Sequence, residues 1–269
     1  MAVHSLKLHV QALVAAIQFL TRIPVPVTVP FEPQVLARSA VYFSIAGALI
    51  GGIVTLSFTA IQSWLPAGPG AVLLLALWLA LSGALHMDGW MDTADGVLSH
   101  RSRERMLEIM KDSRVGAMGV IAAVLLLLFK FTVLYELLSH TESVYVLPLL
   151  VIIPLWSRWW MAAAIVIWPS AREGEGIGAL FQATKLRHVW TGFVLTFLLA
   201  CGIGLAFGLP LGTSAFTAAG AAAVTMATGT LMSFWLARKL GGLTGDTYGA
   251  MNEAIEAILL FALLLLTTH

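Results

Sequence analysis

The chain has 269 residues, of which 59% are hydrophobic and 11% are charged, and its mean hydropathy is +0.91. A soluble domain carries about 25% charged residues, so this composition excludes an ordinary soluble enzyme and a disordered chain. The net charge of +1 is too small to attract polyanions strongly, which argues against a nucleic-acid partner. The single cysteine, Cys201, cannot form an intrachain disulfide. The apolar runs are long and continuous, which indicates a helical membrane protein rather than a β-barrel.

Apolar segments follow one another along almost the entire chain. The first, Leu8–Leu20, is short and has no evident cleavage site after it, so it predicts an uncleaved interfacial or re-entrant helix. Later runs approach the length of about 20 residues that crosses a bilayer. Glycine and proline at 208–212 divide one uncharged run into two. We expect an all-α bundle of about seven transmembrane helices, forming one membrane-embedded catalytic domain over residues 1–269. The predicted spans are Ala40–Gln62, Ala71–Met87, Val115–Leu138, Tyr145–Trp168, Val189–Gly208, Ser214–Leu236 and Ala250–Thr267.

In this arrangement almost all basic residues lie on the same side of the membrane. Of the fifteen Lys and Arg residues, all but Lys130 and Arg158 fall in the N-terminal segment or in alternate loops. Because basic loops stay in the cytoplasm, we expect a multi-pass protein of the cytoplasmic (inner) membrane with its N-terminus inside. For Lys130 we expect either an interhelical ion pair, with Glu136 as one candidate partner, or a side chain that snorkels to the membrane surface. Arg158 is too deep for snorkelling and favours a polar, substrate-binding cavity.

Three aspartates form the first of two acidic clusters. Asp88, Asp92 and Asp95 fall within roughly 60° of one another on a helix. We expect them at the C-terminal end of the second span, where the helix dipole and the nearby hydrocarbon both disfavour anions. Divalent cations with oxygen ligands would remove these penalties, and the alternative is three solvated acids at a helix end. His86 precedes the stripe and is a candidate base or ligand, or a satisfied interfacial histidine.

A basic segment follows on the same predicted face of the membrane. Met106, Ile109 and Met110 recur at helical spacing within residues 101–114, so this segment predicts an amphipathic helix at the cytoplasmic interface. Most of its charge is explained by helix pairs and by the preference of basic residues for the cytoplasm. Arg114, at the entry to the next span, is the best candidate for a phosphate contact.

The second acidic cluster follows a glycine-rich segment, 241–249. Glycines permit close backbone approach to a ligand, and a helix N-terminus suits phosphate, although the segment is not a Walker loop. A helix beginning at Asp246 would place Gly249, Glu253 and Glu256 on the same face. We therefore expect metal ligands at Asp246 and Glu253, and substrate-binding residues at Gly241, Gly242, Gly245 and Asn252. Carboxylates, glycines and arginines together favour metal-dependent phosphoryl transfer.

Four strings of the sequence resemble the cobalamin synthase family, also called adenosylcobinamide-GDP ribazoletransferases. They are Phe19–Pro24, His86–Gly96, Arg101–Gly116 and Gly241–Glu253, in the same order across nearly the whole chain. The resemblance implies that the aspartates of the second string hold Mg²⁺. It also adds Arg22, in the first string, to the expected substrate-binding residues.

The resemblance further implies a reaction. The cobinamide phosphate group of adenosylcobinamide-GDP passes to the ribose 3′-hydroxyl of α-ribazole or its 5′-phosphate, and GMP leaves. The oligomeric state, including a complex with other enzymes of the pathway, stays open. Two other classes also stay open at this point: an intramembrane prenyltransferase, whose usual Asp-Asp-x-x-Asp pattern is absent, and a cation transporter, which would place its acids near the middle of the bilayer.

Overall fold

The computed structural model describes residues 2–140, 143–172 and 176–268, and these ranges contain helices but no strand. A 3₁₀ turn at Ala40–Tyr42 separates the second and third helices. A single isolated β-bridge within the described ranges pairs Ser170 with Leu243. The helices are α1 (Ala2–Leu20), α2 (Pro33–Ser39), α3 (Phe43–Trp64), α4 (Ala67–Ser82), α5 (Leu85–Val97), α6 (Arg103–Ile109), α7 (Ala117–His140), α8 (Val146–Ile167), α9 (Gly176–Leu180), α10 (Leu186–Ala206), α11 (Leu211–Leu240) and α12 (Gly245–Thr268).

Six segments of the described chain are long and apolar enough to cross a membrane. They are α2 and α3 together, α7, α8, α10, α11 and α12. The pair α4 and α5 makes a seventh if it is counted as one span. The predicted all-α membrane bundle is therefore confirmed. The predicted break also occurs, since α10 ends at Ala206 and α11 begins at Leu211.

The second predicted span differs from the prediction because it bends by 90° between α4 and α5. Gly83 and Ala84 both adopt left-handed backbone conformations, with φ of 62° and 57°. The segment that follows α1 supports the bend. The Arg22 amide donates to the Leu81 carbonyl at 2.7 Å, and the Arg22 side chain lies against Gly83. Our placement of the three aspartates at a helix C-terminus was therefore wrong for Asp88, whereas Asp95 does lie in the last turn of α5, which ends at Val97. Asp88 lies in the first turn of α5, where the helix dipole favours an anion.

The helix α8 forms the centre of the bundle, with buried side chains along most of its length. Its main neighbour is α3, which approaches it closely through Gly47 and Gly51. A Cβ atom on Gly51 would lie 2.7 Å from the Val151 Cα atom, so only glycine fits at this separation. Small residues spaced four apart allow such close contact between membrane helices.

The basic segment after α5 is shorter and more buried than predicted. Only seven residues, Arg103–Ile109, are helical in α6. The side chains of Met106 and Met110 are buried in the protein, and Met110 packs against Gly96 of α5. The apolar stripe of the predicted amphipathic helix thus contacts the bundle itself.

We predict that Gly51→Ala destabilises the protein, whereas Gly52→Ala does not. The first change forces backbone atoms of α3 and α8 apart, and overpacking of this kind costs about 1–3 kcal/mol. The second position is a matched control in the same helix, because no atom lies within 4 Å of a Cβ placed there. Thermal unfolding of the detergent-solubilised protein measures the difference. Equal midpoints for the two variants would contradict the proposed helix contact.

Candidate functional site

The two acidic segments meet where α5 packs on the beginning of α12. A Cβ atom on Gly89 would lie 2.6 Å from the Asp246 carbonyl oxygen, and one on Gly249 would lie 3.2 Å from the His86 backbone. Glycines on both helices therefore permit backbone contact between them. This contact brings the first acidic cluster next to the second.

Acidic side chains from both helices surround one arginine. Asp88, Asp95 and Asp246 are close enough to interact electrostatically with Asp92. Arg172, which follows α8, interacts with both Asp92 and Asp246, and its Nη1 lies 3.4 Å from Asp246 Oδ2. Asp88 is exposed, whereas Asp92 and Asp246 are partly buried. We call Asp88, Asp92, Asp246 and Arg172 the acidic site.

Asp95 has a different environment from the other acids of its stripe. Its carboxylate accepts hydrogen bonds from the backbone amides of Gly116, at 2.6 Å, and Gly119, at 2.7 Å. These amides lie at the beginning of α7, where helix N–H groups lack partners within the helix. Asp95 therefore caps α7 and joins it to α5. Its predicted role in metal binding stays a prediction.

A second charged group lies inside the bundle and is fully enclosed. Lys130 of α7 donates to Glu253 at 2.5 Å and to Glu256 at 2.9 Å, and Arg158 of α8 pairs with Glu256. All four side chains are at most 4% exposed. We call these residues the buried quartet. Its two positive and two negative charges cancel, which makes the burial of each charge tolerable.

The buried quartet changes the interpretation of several predicted residues. Lys130 pairs with glutamates of α12, not with Glu136, as one alternative had it. Glu253, a predicted metal ligand, has its carboxylate in the ion pair with Lys130. Arg158 lies in the same ion cluster through Glu256, and its predicted contact with substrate stays a prediction. The predicted Asn252 contact with substrate stays a prediction, and in the structure Asn252 is fully buried and donates to Glu256 at 3.4 Å.

His86 lies beside the buried quartet. Its side chain is 1% exposed, and neither ring nitrogen has a hydrogen-bond partner among the described residues. The charged groups that act on it are Arg158, Glu256 and Lys130. The alternative of a histidine with satisfied hydrogen bonds is thus wrong, and the predicted catalytic role of His86 stays a prediction.

The glycine segment forms a tight connection between α11 and α12. Gly241, with φ of 72°, ends α11 in a left-handed conformation, and the Arg103 guanidinium lies against it. A Cβ atom on Gly242 would lie 2.5 Å from the Ala171 amide nitrogen. Gly245 is the first residue of α12. Two of the three glycines therefore satisfy packing requirements of the fold, and their predicted phosphate contacts stay predictions.

Arg114 lies on an exposed loop and binds its neighbour. Its side chain is 87% exposed and forms a bidentate pair with the Asp112 carboxylate. The Nε donates to Oδ1 at 3.0 Å, and the Nη2 donates to Oδ2 at 2.7 Å. These bonds lower the pKa of the Asp112 carboxyl to about 2, so the pair is ionised throughout the physiological pH range. The predicted phosphate contact of Arg114 is untested by this arrangement.

Comparison with known proteins agrees with the motifs at this site. A family model described as cobalamin-5-phosphate synthase matches residues 12–264. The chain belongs to this family. A relative from Desulfitobacterium hafniense, named adenosylcobinamide-GDP ribazoletransferase, is 39% identical over 91% of this chain and 93% of its own length. Relatives of the same name from Brevibacillus brevis and Roseiflexus sp. are 35% and 40% identical, covering 94% and 93% of this chain and 97% and 88% of their own lengths. No solved structure is detectably similar to the chain.

As a member of the cobalamin-5-phosphate synthase family, the chain is a cobalamin synthase, which acts in the final assembly of cobalamin. The prenyltransferase and cation-transporter alternatives have no support from the comparisons. The family resemblance found in the four sequence strings is confirmed.

Sequence reasoning missed two arginines at this site. Arg172 follows α8 in a segment without a recognisable motif, and its only signal was a position on the predicted basic side. Arg103 was explained by general positive charge, although it packs against Gly241. In both cases the contact partner lies more than 60 residues away in the chain, so no local pattern could reveal it.

We predict that Lys130→Met strongly destabilises the protein and that the second change Glu253→Gln restores part of the loss. The single change leaves a buried negative charge without compensation, which costs about 3–5 kcal/mol. The double variant returns the cluster to neutrality. Thermal unfolding in detergent measures both, and Lys239→Met, at an exposed position of α11, serves as the control. A double variant no more stable than Lys130→Met would argue against charge balance as the cause.

Proposed function

We propose that the acidic site performs the transfer reaction named for the relatives. The cobinamide-side phosphorus of adenosylcobinamide-GDP is attacked by the ribose 3′-hydroxyl of α-ribazole or its 5′-phosphate. The new P–O bond replaces the bond to the bridging oxygen, which leaves with GMP, while the hydroxyl proton passes to a base. The enzyme is in this proposal a phosphotransferase for substituted phosphate groups.

One observation carries this proposal: the backbone contact between α5 and α12 at Gly89 and Asp246. It assembles acids from two of the four sequence strings that resemble the family, His86–Gly96 and Gly241–Glu253. Like charges so close together are unfavourable unless a cation joins them. A diphosphate substrate needs such a cation to reduce its own charge during reaction.

The donor chemistry of the acidic site suits Mg²⁺, which prefers carboxylate oxygens. Among the described residues, no group of three or more His, Cys, Asp and Glu side chains is already arranged to hold a metal ion. Asp95 and Glu253 are engaged by amides and by Lys130. We therefore assign the metal to Asp88, Asp92 and Asp246, whose side chains must turn toward a common ion. When bound, Mg²⁺ would neutralise charge on the diphosphate.

The chain's own residues would supply the rest of the site. Asp95 holds α5 against the beginning of α7, which fixes the positions of Asp88 and Asp92 on the same helix. The Arg103 and Arg172 side chains bring positive charge to the connection before α12, where an anionic substrate requires it. The surrounding apolar helices would keep the reacting groups at the membrane surface.

The basic loops support a cytoplasmic location for this site. Residues 98–116 contain four arginines and the segment after α8 carries Arg172, whereas residues 65–70 and 207–213 contain no Lys or Arg. Since basic loops remain inside, the proposal places the protein in the cytoplasmic membrane with its N-terminus inside.

We predict that Asp88→Asn and Asp92→Asn each reduce GMP release by about 100-fold or more at limiting Mg²⁺, because each removes a charged ligand. The assay uses purified protein, adenosylcobinamide-GDP and α-ribazole. Glu108→Gln is the matched control, since the Glu108 side chain is exposed and pairs with Arg105 of the same helix. Near-normal turnover of both aspartate variants would refute the metal assignment.

We also predict the sidedness of the membrane protein. After replacement of Cys201, a cysteine at Ser99 should be protected in intact cells from an impermeant thiol reagent, and one at Gly68 should react. Permeabilised cells provide the control, in which both positions should react. Labelling of Ser99→Cys in intact cells would reverse the proposed orientation.

A further inference from the structure

The segment that carries Arg172 is fixed to the beginning of α12 by backbone hydrogen bonds. The Ala171 amide donates to the Leu243 carbonyl at 2.8 Å, and the Leu243 amide donates to the Pro169 carbonyl at 2.8 Å. Gly242 packs against the same segment without room for a side chain. The Ser170 hydroxyl accepts from the Arg172 amide at 3.3 Å. The backbone of Arg172 is therefore held in place two residues beyond this bridge.

The Arg172 side chain extends from this anchor across the acidic site. Its Nη2 donates to the Leu107 carbonyl of α6 at 3.1 Å, and its Nη1 makes a long contact of 3.4 Å with Asp246. Its Nε is buried and has no hydrogen-bond partner in the part of the chain that the structure describes. The side chain is 15% exposed. The guanidinium is thus fixed at the edge of the site with part of its donor capacity unused.

The incomplete hydrogen bonding of the Arg172 guanidinium points to a ligand with acceptor oxygens rather than to a purely internal ion pair. Its only carboxylate hydrogen bond within the described chain is the long contact with Asp246, and Asp246 also accepts from Thr244. If Asp246 turns toward a cation, the guanidinium loses that partner and keeps only the Leu107 carbonyl. A planar guanidinium binds phosphate through two parallel N–H groups.

We infer that Arg172 binds the phosphate that leaves with the guanosine. This inference rests on the proposed function. The bond that breaks joins the cobinamide-side phosphorus to the bridging oxygen, and its electron pair goes to that oxygen. Negative charge therefore develops on the leaving phosphate, beside the position assigned to the metal. Arg172 donates hydrogen bonds to this phosphate and stabilises the developing charge.

The first test compares Arg172→Lys and Arg172→Met with the wild type. The matched controls are Arg105→Lys and Arg105→Met, at an exposed position of α6. Purified protein with Mg²⁺ is assayed for GMP release and for inhibition by added GMP. We expect both Arg172 variants to weaken GMP inhibition by about tenfold or more, the size of one lost charge-assisted hydrogen bond. The KM for α-ribazole should change less than twofold, and the control variants should match the wild type.

A second measurement uses the wild-type protein, so it does not depend on the folding of any variant. Phenylglyoxal modification of Arg172 is followed by mass spectrometry with and without GMP and Mg²⁺. We expect GMP to protect Arg172 and to leave Arg105 reactive.

Different failures of these tests have different meanings. Unchanged GMP inhibition in the variants, or no protection of Arg172 by GMP, would overturn the role of Arg172. A raised Mg²⁺ requirement with unchanged GMP inhibition would also overturn it, since Arg172 would then act only by positioning Asp246. A wild-type protein that releases no GMP would instead refute the proposed function.

Discussion

The compensation of charge inside an apolar bundle is the constraint on which the rest of this structure depends. Lys130 and Arg158 lie in helices that are otherwise almost wholly apolar, and each would be costly there without a partner. Glu253 and Glu256 supply the opposite charge from α12. Their ion pairs fix the rotation of α12 against α7 and α8. Because Asp246 lies in the first turn of the same helix, this rotation also determines where Asp246 faces.

Close helix contact through glycine is the second element that builds the site. Gly89 and Gly249 allow α5 and α12 to touch along their backbones, and Gly96 allows α6 to pack on α5. In the sequence these glycines belong to the same two motifs as the aspartates. The structure separates their tasks: the aspartates carry the charge, and the glycines set the distance between the helices that present it.

The sequence predicted the helical class, the break before α11 and the two acidic segments because each depends on local composition. It did not predict the bend at Gly83 and Ala84, since a left-handed alanine has no reliable sequence signal and depends on the support of Arg22. It also could not distinguish acids that serve the fold from acids left for a ligand. Asp95 and Glu253 match the same spacing as their neighbours, and only tertiary contacts with α7 set them apart.

The pairing of Lys130 with Glu253 spans 123 residues of sequence, and this separation has a consequence for biosynthesis. The helices α7 and α8 enter the membrane before α12 has been synthesised, so Lys130 and Arg158 first reside there without their glutamates. Each such charge at the centre of a helix carries an insertion cost of about 2.5–3.5 kcal/mol. The buried quartet therefore becomes electrically neutral only after α12 has joined α7 and α8 in the membrane.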